Sequence, residues 1–421
     1  MSDEKEIEIF DISYNGSGVG RKDGKVVFIP KTLLGEKVTY SSNRNTSSFT
    51  VGDLKKVIEP SADRILPQCP YYGVCGGCAF LHCNFNAEKF MKIQILKKEM
   101  SKVGFSGDVE FVENDRRYGY RNKMKFEVCD GKLGYFKSKS KDFFEVEMCM
   151  IADDEINLAL PIVQEFVREN NFEKLHSVYF KKVKNDLAIV FLFDKKTKIK
   201  LKNVVGLGVL GKYSIFFAYG DILESNDTKI ECVLGNKVLK NDFEGVEYDV
   251  DVSAFNQVND YMAERLYEHV ASLCKGKRVI NAYSGQGLLT YILAKKAAFV
   301  YGIEYQKSAH EQAEKLAKKM MDYHVFNVCG RVEDEIGDII FRDPVNTVVL
   351  DPSREGCQRV VLEELLKSFA ESIIYISCNF PTLVRDLDVL KSKYEIENIK
   401  IFDMFPGCCA METVVCLKKR D

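Results

Sequence analysis

The chain has 421 residues, enough for two or three domains, and its hydrophobic fraction of 46% is typical of packed globular proteins and excludes wholesale disorder. Because 60 Lys and Arg residues face 62 Asp and Glu residues, the net charge is only −2, and a polyanionic partner would have to bind a local basic patch. No apolar run reaches the ~18 residues of a membrane span and residues 1–6 lack the pattern of a signal peptide, so we expect a cytoplasmic protein without membrane contact.

Residues 1–60 are predicted to form a small all-β domain. Apolar and polar positions alternate in short runs at residues 6–10, 26–30, 37–40 and 51–54, and glycine-rich turns separate these runs. Pro60 follows the last run and marks the end of the domain.

A cysteine-rich loop opens the next region. In a long chain that is expected to be cytoplasmic, the 14 Cys residues are better interpreted as ligands, reactive thiols or core residues than as disulfides. Cys69, Cys75 and Cys78 follow a C-x5-C-x2-C spacing, and three thiolates need a fourth ligand. The candidates for that ligand are Cys83, Cys129 and Cys149. Thiolates suit both zinc and an iron–sulfur cluster, so the spacing leaves the metal open, and an unliganded loop is the remaining alternative.

Residues 61–250 are predicted to form an α+β central domain around this loop. A helical period covers residues 87–100, and strand-like runs occupy residues 124–128, 178–180, 187–193 and 213–217.

The central domain also carries a basic segment, defined as residues 116–141. It contains nine cationic side chains against two acidic ones: Arg116, Arg117, Arg121, Lys123, Lys125, Lys132, Lys137, Lys139 and Lys141 against Glu127 and Asp130. Aromatic residues, Tyr120 among them, lie between the cations. Cations for phosphates and aromatic rings for unstacked bases are what single-stranded RNA requires, and a solvated charged face is the alternative.

Residues 251–421 alternate apolar strands with amphipathic stretches. A helical period covers residues 258–270, and strands are predicted at residues 278–283, 299–303, 347–350, 372–377 and 413–417. This alternation predicts an α/β domain with a doubly wound, Rossmann-like parallel sheet. Such sheets bind ligands beyond the carboxyl ends of their strands.

The first of these strands leads into a glycine-bearing loop. Gly285 and Gly287 are present, but Thr290 stands where a dinucleotide-binding loop has its third glycine. The second strand ends at Glu304, whose carboxylate could accept both ribose hydroxyls of an adenosine. These features favour S-adenosylmethionine over NAD, whereas a purely structural corner is the alternative.

Three later motifs place reactive groups at the same edge. Cys378 follows one strand, Asp351 and Arg354 follow another, and Glu412 precedes the last. C5 of uracil is too weak a nucleophile to attack a methyl sulfonium, but a thiolate that adds at C6 makes C5 reactive. A base must then remove the C5 proton before the thiolate can leave. Cys378 is the predicted nucleophile and Glu412 the predicted base.

The motifs resemble those of the RNA 5-methyluridine methyltransferase family, and they occur in the same order. The matching segments are Phe255-Asn-Gln-Val-Asn259, Asp351-Pro-Ser-Arg354, Ser377-Cys-Asn379, Thr382-Leu-Val-Arg-Asp386 and Met411-Glu-Thr-Val-Val415. The amino-terminal segments Gly16-Ser-Gly-Val-Gly-Arg21 and Gly24-Lys-Val-Val-Phe-Ile-Pro30 resemble the family's TRAM domain, an OB-like RNA-binding barrel. The resemblance spans nearly the whole chain.

By position, the resemblance implies roles for several residues. Gln257, Tyr283, Glu304 and Asp351 would contact the methyl donor, together with Gly285 and Gly287 of the loop. A [4Fe-4S] cluster would be bound by Cys69, Cys75, Cys78 and Cys149. RNA would be contacted by Tyr120, Arg121, Lys123 and Lys125. The resemblance further implies a monomer that modifies ribosomal RNA of the large subunit, 23S, with transfer RNA as the alternative substrate.

Some positions depart from the family pattern. They are Asn281, Arg331, the Phe380-Pro381 pair and the Cys408-Cys409 pair. These changes affect the adenosine contacts and the surroundings of Glu412, but both reacting groups remain. An inactive RNA-binding protein is the alternative that the two cysteines would favour. A radical enzyme is disfavoured, because such enzymes use a C-x3-C-x2-C loop.

Overall fold

The structure is a computed structural model that describes residues 4–138, 140–195, 211–243, 246–320 and 324–420. Lys139 of the basic segment lies outside the described residues. No helix within these ranges is long and apolar enough to span a membrane.

The amino-terminal region forms one curled sheet. Its strands are β1 (Lys5–Glu8), β2 (Asp11–Ile12), β3 (Gly18–Lys22), β4 (Lys25–Ile29), β5 (Lys37–Asn45) and β6 (Phe49–Glu59), in the order β1-β5-β6-β4-β3-β2. Alternate residues such as Ile7, Ile29 and Val38 point into the core. A Cβ on Gly20 of β3 would lie 2.5 Å from the Ile7 side chain of β1, so the two ends of the sheet meet. The all-β prediction for this region is confirmed.

A second sheet forms the middle of the molecule. Its strands are β8 (Lys123–Cys129), β9 (Lys132–Phe136), β10 (Phe143–Glu145), β11 (Leu175–Val183), β12 (Asp186–Phe193), β13 (Ser214–Tyr219) and β14 (Lys229–Leu234), in the order β10-β9-β8-β11-β12-β13-β14. Helix α2 (Asp154–Asn170) buries Ile156, Leu160 and Val163 against one face of this sheet. A hairpin of β15 (Leu239–Phe243) and β16 (Val246–Val250) follows.

The third sheet is mixed, with a parallel core. Its helices are α3 (Asp260–Leu273), α4 (Leu288–Ala294), α5 (Lys307–Lys319), α6 (Val332–Arg342), α7 (Arg359–Lys367) and α8 (Phe380–Leu390). Its strands, in sheet order, are β19 (Val325–Cys329), β18 (Phe299–Glu304), β17 (Arg278–Ala282), β20 (Thr347–Leu350), β21 (Ser372–Ser377), β23 (Glu412–Lys419), β22 (Tyr394–Phe402) and β7 (Val109–Val112). The first five are parallel, and β23 runs antiparallel between β21 and β22.

Two elements of the predicted central domain, one strand and one helix, pack with this third sheet. Strand β7 pairs in parallel with β22 and covers its edge. Helix α1 (Phe85–Met100) buries Met91 and Leu96 in the same hydrophobic cluster as Leu387 of α8. The range predicted for the central domain, 61–250, therefore includes a segment that packs as part of the carboxyl-terminal unit.

Candidate active site

The glycine-bearing loop connects β17 to α4 at the carboxyl edge of the sheet. Tyr283, Gly285 and Gly287 all have positive φ, at 64°, 57° and 86°. A Cβ on Gly287 would lie 2.7 Å from the Cβ of Ala313, so glycine is needed there for α4 to pack on α5. Around Gly285 the space is open. Tyr283 holds a conformation that is strained for a side-chain-bearing residue, which is frequent where a loop is shaped for a ligand.

Glu304 holds this loop to the second strand. The Glu304 carboxylate is buried, and it accepts the backbone N–H of Gly285 at 2.9 Å and that of Gln306 at 2.7 Å. Burial raises the pKa of Glu304, while these hydrogen bonds act against the shift. Because each carboxylate oxygen has a second lone pair, Glu304 can still accept hydroxyl donors.

Asn281 replaces an acidic residue of the family pattern. Its Nδ2 donates to the Thr290 hydroxyl at 2.8 Å, which ties β17 to α4. The residue that replaces the third glycine therefore has a structural partner in Asn281.

A cavity opens beside the glycine-bearing loop. Tyr283, Gly285 and Asp351 line it, together with Asn281 and Tyr267. Gln257 lines an adjoining cavity that shares Tyr248, Asn256, Tyr267 and Leu288 with the first. Gly287 and Glu304 line neither cavity: Gly287 packs against Ala313, and Glu304 accepts the Gly285 N–H. The structure thus brings the predicted cofactor residues to one edge of the sheet, some at the cavities and some outside their lining.

Cys378 and Glu412 meet through the pairing of β21 with β23. In this antiparallel pair Ser377 lies opposite Thr413. Extending the register by one residue places Cys378 opposite Glu412, and side chains in such positions are neighbours. The sheet itself therefore positions the predicted nucleophile against the predicted base.

Charge around the thiol is divided between two carboxylates and a guanidinium. Burial and then the nearby Glu412 and Asp351 raise the pKa of Cys378 to about 11, whereas the charge and hydrogen bond of Arg354 lower it. Burial and the Asp351 carboxylate raise the pKa of Glu412, which is only 3% exposed. Burial raises the pKa of Asp351 to about 7. Arg354 is thus the cation beside these three groups. The sequence places it only at the same edge of the sheet and does not indicate its effect on the thiol.

The loop that carries Arg354 is held by α8. The Arg354 carbonyl accepts the Asn379 side-chain amide at 2.7 Å and the Thr382 hydroxyl at 3.2 Å. Asp386, which is fully buried, accepts the Cys357 backbone N–H at 2.8 Å and the Tyr375 hydroxyl at 2.6 Å. Asp386 is the last residue of a family-like motif, and its contacts give it a supporting role that the sequence did not assign.

The segment before Glu412 is held by a buried charge network, which we define as Glu88, Lys92, Asp403 and Arg117. The Lys92 ammonium lies 2.8 Å from both Glu88 and Asp403 and donates to the Phe405 carbonyl at 3.1 Å. Glu88 also accepts the Gly407 N–H at 2.7 Å and pairs with Arg117 at 3.0 Å. Arg117 of the basic segment therefore pairs with a buried carboxylate of this network.

The same segment bonds directly to the cysteine loop. The Gly407 carbonyl accepts the backbone N–H groups of Ala79 and Phe80 at 2.9 and 2.8 Å. Cys408 is buried, and its thiol donates to the Gly77 carbonyl at 3.3 Å. The Cys408 departure from the family pattern thus has a packing role at the contact between these two loops.

The predicted cluster ligands converge. Cys69, Cys75, Cys78 and Cys149 line a single cavity of about 510 Å³. Cys83 instead bonds its thiol to the Phe80 carbonyl at 3.2 Å, and Cys129 bonds to the Asp130 carboxylate at 3.8 Å. Among the described residues, no three His, Cys, Asp or Glu side chains are close enough to hold a single metal ion. What Cys69, Cys75, Cys78 and Cys149 share is the lining of this one cavity.

The basic segment is more neutralised than its sequence indicates. Lys123 pairs with Glu224, Lys125 with Glu127 at 2.8 Å, and Lys132 with Glu145 at 3.0 Å. Arg121 and Lys125 line the cavity of the cysteines.

Tyr120 and Lys123 lie away from the open surface. Tyr120 is 6% exposed and donates its hydroxyl to the Pro406 carbonyl at 3.0 Å, so its ring supports the segment before Glu412. Burial, and next the neighbouring Arg121, lower the pKa of Lys123 to about 8.

Known proteins and family models match this chain over nearly its whole length. The sequence model described as tRNA (uracil-5-)-methyltransferase matches residues 85–420, and the TRAM domain model matches residues 3–39. An uncharacterized RNA methyltransferase of Clostridium acetobutylicum is 28% identical over 100% of this chain and 98% of its own. One from Caldanaerobacter subterraneus is 29% identical over 100% and 99%.

A solved structure is similar as well. The Pyrococcus abyssi tRNA (uracil-54, C5)-methyltransferase, crystallised with S-adenosyl-L-homocysteine, aligns with a TM-score of 0.78 at 22% identity, over 98% of this chain and 100% of that one. This likeness supports the fold described above.

Proposed function

Since the chain belongs to the tRNA (uracil-5-)-methyltransferase family, we propose that it methylates C5 of a uridine in RNA through a covalent bond between Cys378 and C6. The observation that carries this proposal is the register of β21 and β23, which sets Cys378 against Glu412. Arg354 contacts the thiol from the neighbouring loop. A nucleophile, a base and a cation thus converge at the edge of the sheet where a parallel α/β fold binds its ligands.

The proposed steps use these groups in turn. The Cys378 thiolate adds to C6 of uracil, and the electron pair of the C5–C6 double bond moves to make C5 nucleophilic. S-adenosylmethionine, when bound, supplies the electrophilic methyl group, and C5 takes it as the carbon–sulfur bond of the donor breaks. Glu412 then accepts the C5 proton, the double bond reforms, and Cys378 leaves as thiolate.

The electrostatics of the site act on both groups: burial and the two carboxylates raise the pKa of Cys378, and Arg354 opposes them. Arg354 lowers the pKa of Cys378 and so increases the thiolate fraction. Burial raises the pKa of Glu412, which makes the ionised carboxylate a stronger proton acceptor.

For the methyl donor we propose the cavities beside the glycine-bearing loop. Tyr283, Gly285 and Asp351 would contact it directly, and Gln257 would do so from the adjoining cavity. Glu304 would accept hydroxyl donors while it holds the loop. These assignments rest on the lining residues of the two cavities.

We further propose that Cys69, Cys75, Cys78 and Cys149 hold a [4Fe-4S] cluster. The four thiols come from two separate segments and line one cavity, as the ligands of a multi-iron group must. Methyl transfer exchanges no electrons, so the cluster would join the cysteine loop to the segment that contains Cys149.

As the substrate we propose 23S ribosomal RNA, which the combination of a TRAM domain and a cysteine loop favours. Transfer RNA is the second candidate, because the similar Pyrococcus enzyme, named for transfer RNA, spans the same length. We expect the enzyme to act in the cytoplasm as a monomer.

The experiment is methylation of both RNAs by purified protein with radiolabelled S-adenosylmethionine, followed by mass mapping of the product. We expect 5-methyluridine in ribosomal RNA, and a covalent complex with the same RNA when it carries 5-fluorouridine. The Cys378→Ala variant should form neither. Methylation by that variant would refute the role of Cys378, and methylation of transfer RNA alone would reassign the substrate. RNA binding without any methylation would favour the inactive RNA-binding protein.

A further inference from the structure

An exposed aromatic ring of the amino-terminal domain lies beside the reacting groups. Tyr14 is 57% exposed, and its ring meets that of Phe380 edge-on, with centroids 6.2 Å apart and an interplanar angle of 80°. Phe380 is two residues beyond Cys378, in the first turn of α8. The ring of Tyr14 is thus close in space to the strand end that carries Cys378, although the two residues are far apart in the sequence.

The turn that carries Tyr14 is well ordered by its own hydrogen bonds. The Ser13 N–H donates to the Ser17 carbonyl at 2.8 Å, and the Gly16 N–H donates to the Ser13 carbonyl at 2.9 Å. The Ser17 N–H donates to the Asn15 side chain at 3.2 Å. Tyr14 therefore stands on a fixed turn rather than on a loose loop.

The turn is also docked on the cysteine loop. Gly16 has a φ of 78°, and a Cβ there would lie 3.0 Å from the Cβ of Ala79 and 3.2 Å from the ring of Phe80. Only glycine permits this approach. The amino-terminal domain is consequently held against the active-site edge through both Ala79 and Phe380.

Phe380 and Tyr14 differ in what they can still contact. Phe380 is 6% exposed, so its ring is packed in the protein interior. In an edge-on pair of rings, at least one face of the Tyr14 ring stays free of Phe380. A planar group that approaches the active site could stack on that ring.

The proposed chemistry creates such a planar group. A target uridine must leave its base stack before C6 can reach the half-buried Cys378 thiol, and the neighbouring base then loses its stacking partner. Aromatic side chains supply that partner in proteins that bind single-stranded RNA. The exposed Arg354, on the loop beside Cys378, adds positive charge at the same edge.

We propose that Tyr14 stacks on the nucleobase adjacent to the target uridine, so that the turn of residues 13–17 forms one wall of the RNA site. This inference rests on the proposed function. It gives the amino-terminal domain a direct place in substrate positioning.

The test compares Tyr14→Ala, Tyr14→Phe and Phe10→Ala. Phe10 is a matched control, because it is 55% exposed on the same domain. The substrate is a transcript of the RNA that the unmutated enzyme methylates, with 2-aminopurine beside the target uridine. We expect Tyr14→Ala to raise KM about tenfold with kcat and thermal unfolding temperature nearly unchanged, and to abolish the quenching of 2-aminopurine on binding. Tyr14→Phe and Phe10→Ala should behave like the unmutated enzyme.

Several results would overturn the inference. They are an unchanged KM and quenching in Tyr14→Ala, an equal loss in Phe10→Ala, and a loss in Tyr14→Phe as large as in Tyr14→Ala. Quenching is measured without S-adenosylmethionine, so it reports on stacking by Tyr14 separately from methyl transfer. Failure of the unmutated enzyme to methylate any RNA would reject the proposed function instead.

Discussion

Arg354 is the group that favours ionisation of the Cys378 thiol. Burial and two carboxylates favour the protonated thiol, and although Arg354 acts against them, the pKa of Cys378 is raised to about 11. The Arg354 guanidinium acts in the opposite direction through its charge and a hydrogen bond. In the proposed mechanism the thiolate is the form that adds to C6, so the rate at neutral pH should depend on Arg354.

Replacing Arg354 should therefore slow adduct formation. Arg354→Met removes the cation, raises the pKa of Cys378 further and lowers the thiolate fraction at pH 7, by about tenfold for each pKa unit. We expect the rate of covalent complex formation with 5-fluorouridine RNA to fall by about tenfold or more at pH 7 and the pH profile to move to higher pH. Arg354→Lys, which keeps the charge, should lose less. An unshifted pH profile in Arg354→Met would remove Arg354 from this role.

In the proposed mechanism, Glu412 acts after the methyl group has been transferred. Its raised pKa means that deprotonation, and with it the ability to accept the C5 proton, increases with pH. Glu412→Gln keeps the size of the side chain but cannot accept the proton. We expect this variant to accumulate a methylated covalent RNA adduct whose breakdown is about 10²–10⁴-fold slower and independent of pH.

Gel electrophoresis of the denatured protein–RNA complex measures that breakdown. The double variant Cys378→Ala/Glu412→Gln is the control, and it should give no slow-migrating band. Normal turnover by Glu412→Gln would assign the proton to another base.

At the scale of elements, the sequence predicts the fully buried central strands, but it does not predict the edge strands β19 and β7 or the strand β22 next to β7. The apolar runs at residues 347–350 and 372–377 are confirmed as β20 and β21, which are buried on both faces. Strand β22 was missed, because its solvent-facing positions, Glu395 and Glu397, interrupt the apolar run. Its edge is covered by β7, a partner from far upstream that no local pattern indicates.

The site itself was predicted from the order of motifs, but its geometry was not. Cys378 and Glu412 were expected at one edge, whereas their opposition follows from the antiparallel insertion of β23. Counting charges within the basic segment also gives the wrong impression of which cations are free to bind RNA. Arg117 of that segment pairs with Glu88, which lies on α1. Such pairing depends on tertiary contacts.

Helix α1 holds the segment before Glu412 through Lys92. Glu88, Lys92 and Asp403 are each at most 2% exposed, so removing the cation leaves buried carboxylates with less compensation. We expect Lys92→Met to lower the free energy of unfolding by about 3–5 kcal/mol, measured by urea denaturation.

A neighbouring lysine provides the control for this prediction. Lys97 on the same helix pairs with the fully exposed Asp108 at 3.0 Å, and Lys97→Met should change stability little. The triple variant Glu88→Gln/Lys92→Met/Asp403→Asn should recover part of the loss. Equal stability of Lys92→Met and the unmutated protein would show that the network does not support this segment.

At the scale of the whole molecule, the amino-terminal domain and the cysteine loop both contact the third sheet close to the proposed active site. The amino-terminal domain contacts α8 through Tyr14 and the cysteine loop through Gly16. The cysteine loop in turn bonds to Gly407, five residues before Glu412. A change in the cysteine loop should consequently reach the segment that leads to the base.

The proposed cluster provides that change. We expect anaerobically purified protein to contain about four irons per chain, and Cys149→Ser to lose them. Cys83→Ser and Cys129→Ser should keep their iron, because those thiols lie outside the shared cavity. Metal analysis and the visible absorption spectrum measure both effects.

Loss of iron should also change the dynamics of the segment before Glu412. Because Ala79 and Phe80 both donate to the Gly407 carbonyl, we expect amide hydrogen exchange of residues 403–411 to be faster in Cys149→Ser than in Cys83→Ser. Zinc in place of iron would show that the site does not hold an iron–sulfur cluster. Loss of iron from Cys83→Ser alone would show that Cys83, and not Cys149, is the fourth ligand. Unchanged exchange in an iron-free protein would mean that the hydrogen bonds to Gly407 persist without the cluster, and that the charge network around Lys92 is sufficient to hold the segment before Glu412.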